Sequence, residues 1–183
     1  MIAIIVPAHD EEALIARCLE ALKVAARHPG VQGEKVEILV VADSCRDHTA
    51  QIAQDHGVTC LAVDVRNVGA ARATGATAMI AAGARWLAFS DADSMVEPDW
   101  LARQIASSAD AVCGVVTVDD WSDHTEQVRA SHEAAYVDAN AHRHIHGANF
   151  GVSATAYTRA GGFPHLACSE DVELVTRVRH ESL

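Results

Sequence analysis

The sequence predicts an α/β domain with a mostly parallel central sheet and flanking helices. Short β-branched runs recur along the chain, and stretches with helical spacing of apolar residues separate them. The first two runs, IAIIVP and VEILVVA, are apolar except for Glu37, as strands covered on both faces are. Such alternation is typical of parallel sheets with right-handed crossovers. The 183 residues, 50% of them apolar, suit one domain with one core.

The individual elements follow from local pattern. Strands are predicted over residues 2–7, 36–42, 58–63, 85–90 and 111–118. Helices are predicted over residues 10–27, 47–56, 69–83, 97–107 and 123–142. The first helical pattern ends near Pro29-Gly30, a pair that stops helices. After residue 118 the alternation weakens, and a long polar helix replaces it.

Composition narrows the class of partner. The chain has 14 basic and 25 acidic residues and a net charge of −11, which argues against binding to a nucleic-acid backbone. The five cysteines are scattered without a CxxC pair, so we predict reduced thiols and a cytoplasmic location. The sequence contains no apolar stretch of the length that predicts a membrane span.

Polar segments follow each of the first four predicted strands. They read PAHDEE, DSCRDHT, RNVGAAR and SDADS. Ligands of open parallel sheets bind beyond the carboxyl ends of the strands. Turn formation alone explains any one of these segments, because turns favour Asp, Ser and Gly. It explains all four together less well, so we expect residues 7–12, 43–49, 66–72 and 91–94 to line a single cleft.

Two aspartates, Asp91 and Asp93, end the fourth predicted strand. In an extended segment their side chains point the same way. Two carboxylates together with substrate phosphates suit Mn²⁺ or Mg²⁺, although a helix cap or an ordinary acidic loop would look similar. The glycine signatures GxGxxG, GxxxxGK[ST] and GxSxG are absent from the positions that would need them.

Six segments in order resemble family 2 glycosyltransferases of the GT-A fold: VPAHDEE, VVADSCRDHT, RNVGAARATG, SDADS, HGANFGVSATAYTRAGGF and SEDVEL. The resemblance covers about residues 2–175. It implies a GT-A-like single domain over residues 1–183, with a Rossmann-like nucleotide-sugar-binding half over about 1–95 and an acceptor and catalytic half over about 96–183. It also implies sugar transfer from a nucleoside diphosphate sugar, a UDP-sugar above others, to an unidentified acceptor hydroxyl with inversion.

The resemblance assigns donor-binding roles to several residues. Pro7, His9 and Glu11 match the turn that lies against the nucleoside. Asp43 matches the segment that contacts the base, and Arg72 matches an arginine that approaches the base or the phosphates.

The same resemblance assigns the metal and the chemistry. Asp93 matches a metal ligand, and Asp91 a residue that contacts the metal or the ribose. Asp171 matches the general base, and Glu170 stands beside it in the acidic pair. Read without the resemblance, this pair and Ser169 also fit a helix cap and first turn.

Three questions stay open at the level of sequence. His142, His144 and His146, with His132 upstream, predict a solvated or acceptor-facing patch, an acceptor or metal-approach site, or a separate metal site. The chain ends soon after the acidic pair, whereas family members usually continue. The chain is therefore a minimal member or lacks a C-terminal part.

The rival functions are a nucleotide-sugar-binding module without catalysis and a metal-dependent nucleotidyltransferase, which would need a glycine-rich segment after the first strand.

Overall fold

The computed structural model describes residues 1–118, 121, 125–135 and 145–181. Within these residues six strands form one sheet: β1 (Ile2–Ala8), β2 (Val36–Asp43), β3 (Thr59–Val63), β4 (Trp86–Phe89), β5 (Ala111–Cys113) and β6 (Phe150–Ser153). The strand order is β3-β2-β1-β4-β6-β5. The first four strands are mutually parallel, which confirms the predicted parallel sheet. β6 runs antiparallel to both β4 and β5.

Helices cover both faces of the sheet. They are α1 (Ile15–Ala26), α2 (Thr49–Asp55), α3 (Val68–Ala81), α4 (Trp100–Ala106), α5 (Glu126–Ala135), α6 (Ala154–Arg159) and α7 (Glu170–Glu181), with 3₁₀ turns at Pro29–Val31 and Gly147–Asn149. Alternate residues of β1 enter opposite cores: Ile2 and Ile4 pack with α1 and α4, and Ile5 packs with α3 and α7. Burial on both faces explains why the β1 sequence is apolar throughout.

Several predicted elements are shorter in the structure than in the sequence pattern, α1 and β5 most of all. α1 begins at Ile15 rather than at residue 10, because Asp10 adopts φ 53° and the chain turns at Glu11 before the helix starts. β5 ends at Cys113 rather than at residue 118, and Gly114 instead donates its N–H to the carbonyl of Asn149.

The predicted helix over residues 123–142 overlaps α5. The rest of that prediction lies outside the described residues, as do His142, His144 and the side chain of His132. Of this histidine group, His146 is described, at the start of the 3₁₀ turn.

β6 and α6 were missed because their sequence signals are weak. β6 is four residues long and contains Gly151, which reads as a turn residue. Here the glycine is needed for packing, since a Cβ at Gly151 would lie 2.8 Å from the Trp86 ring. Ser153 then caps α6 by accepting a hydrogen bond from the N–H of Ala156 at 3.1 Å. By inserting between β4 and β5, β6 carries the preceding turn to the carboxyl end of β4.

Candidate active site

A cavity of about 530 Å³ opens at the carboxyl ends of the parallel strands. Its volume lies in the range of small-molecule sites, about 300–1,000 Å³. All four segments expected to share a cleft contribute to it, as the sequence predicted. The predicted site residues that line it are Pro7, His9, Glu11, Asp43, Asp91 and Asp93.

A second cavity of about 460 Å³ adjoins the first and shares Asp91 and Asp93 with it. Its wall includes the other predicted residues, Arg72, Glu170 and Asp171. Asp91 and Asp93 therefore lie where the two cavities meet, between the strand-end loops on one side and the start of α7 on the other.

The junction of the cavities is acidic. Burial raises the pKa of Glu11, and the neighbouring carboxylates of Asp93, Asp47 and Asp91 raise it further. Burial also raises the pKa of Asp91, although Arg72 acts in the opposite direction. Carboxylates gathered in this way create a site where a cation would be stabilised.

A separate group, Asp10, Cys45 and Asp47, brings three potential ligand atoms within 4.8 Å of one another. Three of its four carboxylate oxygens accept hydrogen bonds within the protein. Asp10 Oδ1 accepts from the N–H of Arg46 at 2.6 Å, and Asp47 Oδ2 accepts from the N–H of Glu12 at 2.9 Å. The group therefore ties the loops after β1 and β2 together, which fits a structural role better than a metal site.

Asp43 organises the loop that follows β3. Its carboxylate accepts hydrogen bonds from the N–H groups of Val65, Arg66 and Asn67, each at 2.9 Å, and from Ser44 Oγ at 2.9 Å. Burial alone would raise the pKa of Asp43, but these N–H donors outweigh burial and lower it. The single hydroxyl proton of Ser44 is shared with Asp64 Oδ1, which lies 2.6 Å from Ser44 Oγ, so the three backbone N–H groups are what hold the Asp43 carboxylate. Asp43 thereby shapes this end of the cavity by holding the loop.

The turn after β1 is tied to the end of β2. His9 Nδ1 lies 2.6 Å from the backbone oxygen of Asp43, and the N–H of Glu11 donates to Thr49 Oγ1 at 2.7 Å. These contacts set the positions of His9 and Glu11 on the cavity wall, beside Pro7 at the end of β1.

Arg72 lies between the two acidic motifs. Its side chain is buried, one guanidinium nitrogen donates to Asp91 and another donates to Glu170. The guanidinium carbon lies 5.9 Å from the centre of the Phe163 ring. Gly147 leaves room for it, because a Cβ at that position would lie 2.5 Å from the same carbon. Arg72 therefore lines the second cavity rather than the first, with its charge held by two carboxylates.

The two members of the acidic pair have different surroundings. Glu170 is 3% exposed and is engaged by Arg72. Asp171 is partly exposed, and its carboxylate accepts from the N–H of Gly147 at 2.7 Å and of Val172 at 2.8 Å. Both lie in the first turn of α7, where the helix dipole favours negative charge. Of the two, Asp171 presents an accessible carboxylate to the cavity.

Two residues of the site, Gly147 and Phe163, were given no role from the sequence, and two more, Arg46 and Arg66, were predicted only as members of the cleft-lining ranges 43–49 and 66–72. Gly147 and Phe163 enclose Arg72, and only the packing of β6 and α6 brings them there. Arg46 and Arg66 line the first cavity. A signal for these two exists in the sequence, because each stands inside a polar strand-end segment of an otherwise acidic chain.

In the part of the chain that the structure describes, no helix combines the length and apolar character needed to cross a membrane.

The chain resembles known glycosyltransferases in family pattern and in fold. The family model described as glycosyl transferase family 2 matches residues 3–148. A comparison with curated protein sequences found no significant match. Among solved structures, TarS from S. aureus (residues 1–349) superposes with a TM-score of 0.70 at 15% identity, covering 97% of this chain and 55% of that chain.

Two further structures contain bound nucleotide and Mn²⁺. A mannosyltransferase from Pyrobaculum calidifontis, in complex with GDP-Man and Mn²⁺, has a TM-score of 0.66 at 19% identity and covers 97% of this chain and 51% of that chain. Glucosyl-3-phosphoglycerate synthase from Mycobacterium tuberculosis, with Mn²⁺, UDP and phosphoglyceric acid, has a TM-score of 0.68 at 18% identity and covers 98% of this chain and 64% of that chain.

The chain thus spans between about half and two thirds of the length of these three structures. The likeness confirms the predicted GT-A fold, a mostly parallel sheet flanked by helices. With the family model matching most of its residues, the chain belongs to glycosyltransferase family 2.

Proposed function

We propose that the protein transfers a sugar from a nucleoside diphosphate sugar, preferably a UDP-sugar, to an acceptor hydroxyl with inversion. The observation that carries this proposal is the meeting of two acidic motifs in one site. Asp91 and Asp93, which follow β4, lie at the junction of two cavities, and Arg72 connects Asp91 to Glu170 of the acidic pair that begins α7. Family membership and similar structures that hold UDP, UDP-GlcNAc or GDP-Man support it.

The first cavity is the proposed donor site. Pro7, His9 and Glu11 would line the nucleoside, and Asp43 would support the base by holding the loop after β3. Arg72 borders the second cavity beside Asp91, so we place it near the phosphate end of the donor.

The carboxylate oxygens at the junction are suitable ligands for Mn²⁺ or Mg²⁺. Arg72 engages one oxygen of Asp91, and Ser94 Oγ donates to one oxygen of Asp93 at 3.3 Å. An oxygen on each carboxylate thus remains for a cation that also takes phosphate oxygens. We assign Asp93 as the main ligand and Asp91 as a second ligand or a contact to the ribose. When bound, a divalent cation would offset the charge of the departing diphosphate.

Asp171 is the proposed general base. Its carboxylate borders the second cavity, where the acceptor would bind, and two N–H groups orient it. In this role Asp171 accepts the proton of the acceptor hydroxyl while that oxygen attacks the anomeric carbon from the face opposite the diphosphate. A base in such a position contributes a factor of about 10²–10⁴ to the rate. We assign Glu170 a supporting role, because Arg72 engages its buried carboxylate.

The test is turnover of a panel of UDP-, GDP- and dTDP-sugars, with Mn²⁺ or with EDTA. Release of nucleoside diphosphate that requires Mn²⁺ and is lost in Asp171→Asn would support the proposal. The matched control is Glu173→Gln, on the same helical turn, which removes an exposed charge paired with Arg177 at 2.9 Å. The anomeric configuration of the product, read by NMR, tests inversion. Tight nucleotide binding without turnover of any donor would favour the binding-module alternative, and no nucleotide binding would reject the proposal.

The division into a donor half over about residues 1–95 and an acceptor half over about 96–183 remains a prediction, as does the cytoplasmic location. The five cysteines are unpaired, which is typical of reducing compartments and supports that location.

A further inference from the structure

The segment that leads into α7, residues 164–169, lies across the first turn of α3. The N–H of Gly69 donates to the carbonyl oxygen of Leu166 at 3.2 Å, and the side-chain amide of Asn67 donates to the carbonyl oxygen of His165 at 3.3 Å. The first four N–H groups of a helix have no partner within the helix. Here the segment supplies the acceptor for one of them, so the start of α3 is hydrogen-bonded directly to it.

Gly69 permits this contact because it has no side chain. A Cβ at position 69 would lie 2.3 Å from the carbonyl oxygen of Pro164 and 2.8 Å from that of Leu166. Both oxygens belong to the backbone, so no side-chain rotation relieves the overlap, and the segment itself would have to move. Gly69 is buried and is not among the residues that line either cavity. A methyl group there would therefore act on the segment rather than on the cavity wall.

The segment contributes little to the hydrophobic core. The side chains of residues 165–169 are all exposed, that of Leu166 by 44%. A stretch with few buried apolar contacts opens locally at a low cost in free energy. Its backbone contacts with α3 are therefore important for its position.

The segment continues into the first turn of α7, which carries Asp171. The carbonyl oxygen of Ser169 accepts from the N–H of Glu173 at 3.1 Å, which links the end of the segment to that turn. Arg72 follows Gly69 by three residues and lies on the same side of α3, where it engages the other member of the acidic pair. The helix α3 thus contacts the approach to Asp171 at two successive positions along its length.

We propose that Gly69 is a positioning residue for Asp171. By leaving room for the backbone of residues 164–166, it lets the segment pack on α3 and so fixes where α7 begins relative to Asp91 and Asp93. This inference rests on the proposed function, since it assigns a residue that places the proposed general base. Gly69 itself takes no part in the chemical step.

Gly75 offers a matched control in the same helix. It is also buried, and a Cβ there would lie 2.7 Å from Ile5 Cγ2 and 2.9 Å from Val41 Cγ2, so alanine at this position crowds the sheet rather than the segment. Alanine has the same advantage over glycine in helix propensity at both positions. A general effect of crowding α3 would appear in both variants, whereas a positioning effect would appear in Gly69→Ala alone.

Asn67→Ser is a second and milder variant. Serine is a good N-cap and can replace Asn67 as the acceptor for the N–H of Ala70. It lacks the side-chain amide that reaches His165, so it weakens the contact with the segment without introducing an overlap.

The experiment compares the wild type with these three variants per folded molecule. The donor is the nucleotide sugar that the wild type turns over fastest with Mn²⁺, and its kcat is measured by release of nucleoside diphosphate. The affinity for that nucleoside diphosphate with Mn²⁺ is measured by calorimetry. Amide hydrogen exchange of residues 164–173, followed by mass spectrometry, reports the position of the segment without reference to activity.

The kcat of Gly69→Ala is expected to fall by a factor of about 10–10², because a displacement of about 1 Å at a reacting group can cost about 10²-fold. Its nucleotide affinity should stay close to that of the wild type. Exchange of residues 164–173 should be faster in Gly69→Ala and, to a smaller extent, in Asn67→Ser. Gly75→Ala should keep the wild-type kcat and the wild-type exchange of this segment, even if its free energy of unfolding falls.

Wild-type kcat and wild-type exchange of residues 164–173 in Gly69→Ala would overturn the proposal. An equal loss of kcat in Gly69→Ala and Gly75→Ala would also overturn it, because the effect would then come from the packing of α3 as a whole. So would a loss of nucleotide affinity in Gly69→Ala as large as its loss of kcat, which would place the effect in the donor site. Each of these results leaves the proposed function intact.

Two further outcomes are distinguishable. If Gly69→Ala does not fold, Asn67→Ser decides, and unchanged exchange of residues 164–173 in that variant would overturn the proposal. If the wild type turns over no donor, the proposed function is rejected together with the role of Asp171, and the positioning proposal falls with it.

Discussion

Arg72 and Glu170, 98 positions apart in the sequence, form an ion pair in which both side chains are almost fully buried. The same guanidinium also engages Asp91, so one arginine joins the end of β4 to the start of α7. Three charged groups at such a site stabilise one another only while all are present, because a buried charge without a partner is costly.

The first prediction concerns the stability of this triad. Glu170→Gln removes one charge and leaves the guanidinium with a single carboxylate, so the free energy of unfolding should fall by about 3 kcal/mol. Combining it with Arg72→Met should cost less than the sum of the two single changes. Urea unfolding of the wild type, both single variants and the double variant measures this coupling. If the two substitutions act additively, or if either alone lowers the free energy of unfolding by less than about 1 kcal/mol, the three charged groups do not stabilise one another.

The second prediction separates the two members of the acidic pair. Asp171→Asn keeps the size of the side chain but removes its ability to accept a proton, so transfer should fall by a factor of about 10²–10⁴ while nucleotide affinity changes little. Glu170→Gln, compared per folded molecule, should lose less. Initial rates and nucleotide affinities of both variants decide between them. If Glu170→Gln loses transfer and Asp171→Asn retains it, the base is Glu170.

The third prediction concerns the cation. Nucleoside diphosphate should bind more tightly with Mn²⁺ than with EDTA, and Asp93→Ala should remove most of that difference, because Asp93 lies at the junction of the two cavities. Asp47→Ala is the control, since the Asp47 carboxylate accepts hydrogen bonds from backbone N–H groups in the contact between the loops after β1 and β2. Calorimetry with and without Mn²⁺ measures the difference. A wild type that binds nucleotide equally in both conditions would reject the metal assignment.

The fourth prediction concerns pH and Asp43. Its folded-state pKa is lowered, so its contribution to stability is present above the unfolded-state pKa of about 3.9 and is lost as pH falls through the lower folded-state value. Asp43→Asn should therefore have a lower free energy of unfolding than the wild type at neutral pH. The difference between the two free energies should become smaller as pH falls below about 4.

Urea unfolding between neutral and acidic pH follows this difference. Asp55→Asn, which changes an exposed aspartate that pairs with Gln51 at 2.8 Å, is the control for a general charge effect. If the difference in free energy of unfolding between wild type and Asp43→Asn does not change with pH, the hydrogen bonds of Asp43 do not depend on its charge.

The sequence by itself determined the parallel half of the fold. β1 is apolar throughout and β2 is apolar from Ile38 to Ala42 because both faces of these segments are covered, and this pattern is visible in the local sequence. The cleft was predictable for a related reason: parallel strands end at one edge of a sheet, so the polar segments after β1 to β4 had to meet.

Only the tertiary structure decided the second half of the site. β6 is short and contains a glycine, and its place between β4 and β5 depends on packing against Trp86 rather than on its own pattern. That placement brings the turn at Gly147 beside Arg72 and allows Glu170 to reach the guanidinium. A buried ion pair forms only where segments that are distant in the sequence pack together and exclude water. The local sequence does not indicate which segments do so. The motif thus identified Arg72, whereas its two carboxylate partners became evident only in the folded chain.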